Sequence, residues 1–264
     1  MKERVITAIC LLIVILPLIY LGGNWFLALM LIAATIATSE MLAMHDQLGK
    51  IPMWIKVITL LGNLWVVFVP TFQTLTFYDA QFIGMFVVVL LLVINGIRIK
   101  KGQTHIGIYP LVIFYIGYTF RSLLHIRFHS LTLFIFLIVT VVLTDSAAYF
   151  SGRFLGKHKL APKISPKKTV EGAIGGWIIG FAFAFIFGWQ QQIFQTPAIL
   201  IILAIGIPIL SQIGDLVASA FKRRYGIKDY GKIFPGHGGV MDRVDSQLLA
   251  ALLIYFMIQI GGLS

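Results

Sequence analysis

Four of the chain's ten acidic residues, Asp215, Asp229, Asp242 and Asp245, fall within residues 211–246. The same stretch holds Lys222, Arg223, Arg224, Lys228, Lys232, His237 and Arg243. Asp242 and Asp245 stand one helical turn apart. Asp215, Ser219 and Lys222 fall at i, i+4 and i+7, so a helix places them on one face. Three carboxylates brought to one point would repel one another unless a cation joined them. An all-oxygen ligand set suits Mg²⁺ or Mn²⁺, and Mg²⁺ generally completes its shell with water and phosphate oxygens. Lys and Arg nearby suit the remaining phosphate oxygens, Arg as a two-pronged fork. The chemistry these residues suggest is phosphate chemistry with a divalent cation. A plainer arrangement uses the same residues: Asp242, Arg243 and Asp245 cap a helix and pair at the headgroups.

Gly236-His237-Gly238-Gly239 forms a turn whose glycines let backbone approach a ligand closely. Its run of amides suits an anion. His237 could bind phosphate, bind a base, shuttle a proton, or only bond its own turn.

A second basic segment runs from Lys163 to Gly172 and contains Ser165, Lys167, Lys168, Thr169 and Glu171. Thr169 reads as the N-cap of a following helix, with Glu171 in its first turn. Two lysines beside a helix N-terminus make an anion site; anchoring at the membrane surface accounts for the charge alone. No G-x-x-x-x-G-K-[ST] loop occurs. Asp145 and Tyr149, four apart, precede the segment, and Glu40, beside Ser39, is the only acid inside the second apolar run, either facing the site or a neighbouring helix or standing as a carboxylate near the cytoplasmic interface.

These residues must be positioned by a chain that is mostly oil. Its 264 residues are 59% hydrophobic and 12% charged, with mean hydropathy +0.93. Soluble domains carry about 25% charged residues. Repeated continuous apolar runs indicate transmembrane helices rather than the alternating strands of a barrel. The fold class is an all-α polytopic membrane protein of about nine spans. The runs lie at 5–21, 25–44, 54–70, 82–97, 107–124, 131–150, 171–189, 197–220 and 247–263. The first resembles a signal peptide without an A-x-A site and reads as a retained signal anchor.

Basic residues fall in alternate connections: the N-terminus and the stretches 45–56, 98–106, 151–170 and 221–246. Only Arg121 and Arg127 lie elsewhere. The positive-inside rule then places the N-terminus and both candidate loops in the cytoplasm. It also accounts for most of the net charge of +11. No aromatic-interleaved basic domain points to nucleic acid. Cys10 is the single cysteine, which excludes a disulfide framework and a cysteine-based zinc site. His45, His105, His125, His129 and His158 are scattered near span ends and read as interfacial. Residues 1–130 read as a scaffold for lipid access and dimer contacts. Residues 131–264 read as a catalytic region with cytoplasmic loops 151–170 and 221–246.

The segment from Ser219 to Asp245 resembles the signature of the phosphatidate cytidylyltransferase (CDP-diacylglycerol synthase) family. Ser219, Phe221, Lys222, Arg223, Lys228, Asp229, Gly231, Phe234, Pro235, His237, Gly238, Gly239, Val240, Asp242, Arg243, Val244 and Asp245 all meet the pattern. The segment around Lys167 and the Asp145 region are similar to the family as well; the first 130 residues share hydropathy and length. The resemblance implies that CTP and phosphatidate give CDP-diacylglycerol and pyrophosphate. It also implies Mg²⁺ with a monovalent cation such as K⁺ beside it, and a homodimer in the cell membrane.

On that reading Asp215, Asp242 and Asp245 hold the metal. Lys222, Arg223, Lys228 and Arg243 grip phosphates, with Asp229 beside them. Ser219, His237, Gly238 and Gly239 contact phosphate or nucleotide. Asp145, Ser165, Lys167, Lys168, Thr169 and Glu171 complete the pocket. Two other readings compete: a CTP-dependent polyprenol or phytol kinase, and a transporter. A transporter should carry its acids near mid-membrane on broken helices.

Overall fold

The computed structural model describes residues 2–47, 53–68, 112–194 and 196–260. The expected span 82–97 and the connections on either side of it lie outside these residues. The chain forms two compact units, one from residues 1–128 and 221–244 and the other from 129–220 and 245–264.

The first unit contains α1 (Lys2–Leu21), α2 (Gly23–His45), α3 (Met53–Phe68), and a π-helical turn (Ile113–Gly117) that leads into α4 (Tyr118–His129). Its core holds Phe26, Ala34, Met41, Tyr115 and Phe120. A buried polar pair links α2 and α3: Asn63 Nδ2 donates to Thr38 Oγ1. Lys56 pairs with Asp46 across the α2–α3 connection. Arg127 explains one exception in the charge pattern. Its Nε donates to Ile19 O at 2.6 Å and its Nη2 to Tyr20 O at 2.9 Å. These carbonyls end α1, where a cation offsets both unpaired acceptors and the helix dipole. Helix α4 runs to His129, past the expected end at 124, because no Gly or Pro interrupts residues 118–129.

In the second unit Ser130 starts α5 (Leu131–Leu155), accepting from Leu133 N. The helix continues past residue 150, through Gly152, and ends at Gly156, whose backbone is extended (φ −66°, ψ 120°). A hairpin follows, β1 (Lys159–Ala161) against β2 (Ser165–Thr169), antiparallel with Lys159 opposite Thr169. This departs from an all-helical expectation. Pro166 biases Ser165 toward extended backbone, and Thr169 must be extended to cap the next helix.

Helix α6 (Val170–Gln190) buries Gly172, Gly176, Gly180, Ala184 and Gly188, a stripe with a period of four. A Cβ on Gly172 would lie 2.7 Å from Ala148 O, and one on Gly176 would lie 2.7 Å from Thr144 O. The stripe therefore brings the α6 backbone against α5, as small residues do between membrane helices. Helix α7 (Pro197–Arg224) continues from the second unit into the first. Helix α8 (Met241–Gln259) continues from the first into the second. It starts at Met241 rather than 247, so Asp242, Arg243 and Asp245 are helical.

Helices α2, α5, α6 and α7 are long and apolar enough to cross a membrane. Large apolar side chains such as Ile174, Ile178 and Ile186 point outward from α6. The chain is a helical membrane protein.

Candidate active site

Within the first unit the signature residues follow the end of α7. Lys222, Arg223 and Arg224 occupy its last turn, where positive charge is favourable. Gly226, with φ +70°, reverses the chain. Ile227 N donates back to Lys222 O at 3.0 Å and Gly226 N to Arg223 O at 3.2 Å, which closes the helix end. Arg223 Nη1 donates to Ile227 O, so this guanidinium folds over the turn.

The next stretch is a tight turn. Phe234 N donates to Gly238 O at 2.9 Å, and His237 N and Gly238 N both donate to Phe234 O. Gly236 and Gly238 have φ +72° and +83°, which side-chain-bearing residues rarely adopt. Thr7 of α1 donates to Pro235 O at 3.2 Å. His237 Nδ1 is buried without a hydrogen-bond partner, leaving a polar ring atom for a ligand to satisfy.

Asp242, in the first turn of α8, gathers this turn. Its Oδ2 accepts from Tyr230 N at 2.8 Å and from Gly239 N at 3.0 Å. Its Oδ1 accepts from Lys222 Nζ at 2.8 Å. The Asp242 side chain is 4% exposed and that of Lys222 12%. Lys222 Nζ also sits 5.3 Å from the Tyr230 ring centroid, within cation–π range. The next two amides go to a carboxylate from far away in sequence: Val240 N to Glu40 Oε1 and Met241 N to Glu40 Oε2, both 3.0 Å. The amide run at 238–241 is thus engaged by Phe234 O, Asp242 and Glu40, so a bound phosphate must draw on side chains here.

His45, the last residue of α2, is buried, and its Nδ1 lies 2.9 Å from the Tyr225 hydroxyl, so it braces the loop. Burial pushes the Tyr225 phenol above its ordinary value, while Arg224 pulls it down; the ring is neutral at physiological pH.

The second unit holds a cavity of about 340 Å³ lined by Asp145, Arg153, Lys167, Lys168, Gln212 and Asp215, among others. Lys168 Nζ lies 2.7 Å from Asp215 Oδ2. Ser219 Oγ donates to Asp215 Oδ1 at 3.3 Å, as their i, i+4 spacing predicts. Thr169 Oγ1 accepts from Gly172 N at 3.1 Å and caps α6. Asp145 bonds the Ser246 side chain. Asp245 Oδ1 accepts from Ser246 N.

A model of the cytidylyltransferase family matches residues 2–261. This chain belongs to the cytidylyltransferase family. Its relatives include phosphatidate cytidylyltransferases of Bacillus subtilis and Staphylococcus saprophyticus. The first is 36% identical, with 98% of this chain and 97% of the relative covered. The second is 35% identical, with 98% and 100% covered. A Staphylococcus epidermidis phosphatidate cytidylyltransferase is 32% identical over 98% and 99%.

For a cytidylyltransferase the expected residues divide by environment. Asp242, Lys222, Gly238, Gly239 and His237 form one connected turn. Asp145, Lys167, Lys168, Thr169 and Asp215 border one cavity. Lys228, Asp229 and Arg243 are exposed. Ser165 pairs with Ala161 in the hairpin. Glu171 braces that hairpin: Oε2 accepts from Lys157 N at 3.0 Å, and Oε1 lies 2.6 Å from His158 Nδ1. Within neither unit do three His, Cys, Asp or Glu side chains gather to hold a metal, among the described residues. The oxygen donors still suit Mg²⁺, which commonly uses one or two carboxylates and takes the rest of its shell from water and phosphates. Arg153 and Gln212 line the cavity unannounced by any motif.

Proposed function

We propose that this cytidylyltransferase moves the cytidylyl group of CTP onto phosphatidate, giving CDP-diacylglycerol and pyrophosphate. The observation that carries the reading is near-full-length likeness to phosphatidate cytidylyltransferases, with the Ser219–Asp245 signature intact and folded around Asp242. A phosphate oxygen of phosphatidate attacks the α-phosphorus of CTP. The bond from that phosphorus to the bridging oxygen breaks, and pyrophosphate leaves with the electron pair. The nucleophile is already ionised, so no activated Ser or Cys is required. Catalysis rests on positioning and on neutralising charge.

Lys167 and Lys168 line the cavity where a polyanion would sit, and Arg153 adds a further cation. Lys222, Arg223, Lys228 and Arg243 offer positive charge around the signature turn, with Asp229 among them. His237 offers its buried Nδ1 and Ser219 its hydroxyl. Asp215, Asp242 and Asp245 would hold Mg²⁺, or Mn²⁺ in its place, together with substrate phosphate oxygens, and K⁺ is the candidate for a second cation. When bound, the divalent ion supplies charge neutralisation at the phosphates. About nine spans with a cytoplasmic N-terminus would place both basic loops on the cytoplasmic side, where CTP is, by the positive-inside rule. Assembly as a homodimer in the cell membrane completes the reading.

The test is an assay of purified protein with CTP, phosphatidate and Mg²⁺. Equal amounts of CDP-diacylglycerol and pyrophosphate are expected. Their absence from a folded preparation would overturn the reading.

A further inference from the structure

We propose that Glu40 is a positioning residue for cytidylyl transfer: a carboxylate delivered by α2 that fixes the start of α8, and through it Asp242 and the His237 turn. The inference rests on the functional reading above and adds to it a residue outside the signature.

Glu40 is 7% exposed and is the only acid in α2, a helix long and apolar enough to cross a membrane. A carboxylate is costly there unless it is well satisfied. Its two oxygens take one amide each, Val240 N and Met241 N, both at 3.0 Å. These amides stand at the positive end of the α8 dipole, where an anion is favoured over a neutral acceptor.

The turn is built to the shape of this side chain. A Cβ on Gly231 would lie 2.3 Å from Glu40 Oε1, and one on Gly239 would lie 2.2 Å from it. Neither glycine has a positive φ, so space rather than backbone conformation excludes a larger residue there. Two glycines about eight residues apart close onto the same oxygen.

The coupling to the site is direct. Amides 239, 240 and 241 are consecutive; the first is held by Asp242 and the next two by Glu40. Any shift of the α8 start relative to Glu40 therefore moves the Asp242 carboxylate and the Lys222 ammonium it holds. A neutral amide in place of Glu40 keeps the volume but turns an N–H₂ toward one backbone N–H. Loss of a charge-assisted hydrogen bond of this kind corresponds to roughly a 10- to 100-fold change in rate when it is expressed in the transition state.

The experiment compares wild-type protein with E40Q, E40A and E40A/G231A, in detergent and in vesicles. Hydrogen–deuterium exchange over residues 230–242 reports the clamp whatever the reaction is; steady-state kinetics report its use. E40Q is expected to melt near the wild type and exchange faster across 230–242. Its kcat should fall about 10- to 100-fold, with KM for CTP and phosphatidate changed less than about threefold. E40A/G231A should be no less active than E40A, because the added methyl fills vacated space. Unchanged exchange in E40Q would overturn the clamp. Faster exchange with wild-type kcat, or loss of activity that only follows loss of folded protein, would overturn the positioning role. A wild type that exchanges as expected but forms no CDP-lipid would count against the functional reading alone.

Discussion

Two aspartate–lysine pairs among the candidate site residues live in different surroundings. Asp242 and Lys222 are 4% and 12% exposed, and two backbone amides share the carboxylate. Asp215 and Lys168 are 30% and 27% exposed, face a cavity, and share only a serine hydroxyl. The first pair is set in place by the fold before any ligand arrives. The second is accessible, so a polyanion can compete for the lysine and a cation for the carboxylate. A buried, fully engaged pair holds a fixed geometry, whereas an open pair can exchange partners.

The contrast can be broken at either pair. D242N should have the largest effect. It leaves Lys222 without its buried partner, so turnover should fall by about a thousandfold and stability by about 3 kcal/mol. D215N should lower turnover about a hundredfold while the thermal midpoint hardly moves, since solvent-accessible pairs contribute about 0–1 kcal/mol. Equal losses of stability in the two variants would erase the distinction. K168Q should raise the KM for CTP or phosphatidate about tenfold, with a weaker dependence on salt than the wild type, read from kinetics at two ionic strengths. The smallest effect is expected for T169A, which removes the α6 cap and costs about 1 kcal/mol in thermal unfolding, with little change in KM.

Much of this was legible in the sequence because it is local. Apolar runs gave α2, α5, α6 and α7 to within a few residues, and the Thr169 cap followed from residue type and spacing. Asp215 and Ser219 meet because i, i+4 neighbours on a helix always do. The role of Glu40 was not legible, since its partners lie about two hundred residues away; the lone acid in an apolar run marked a question without naming a partner. The anion-binding character of the amides at the Gly238–Gly239 turn was visible, but not that Phe234 O takes the first and the carboxylates of Asp242 and Glu40 take the next three. The glycine stripe on α6 was present in the sequence as a period of four, a membrane-packing signal rather than a chemical one. The β1–β2 hairpin escaped because its strands are short and highly charged, with one proline and no alternation.

The most direct measurement follows the phosphorus. Purified protein is given phosphatidate, Mg²⁺ and CTP labelled at the α-phosphate. Label is expected in CDP-diacylglycerol for the wild type and almost none for D242N. Label retained in released CDP, with an unlabelled phosphorylated lipid as product, would make the enzyme a lipid kinase and contradict the account.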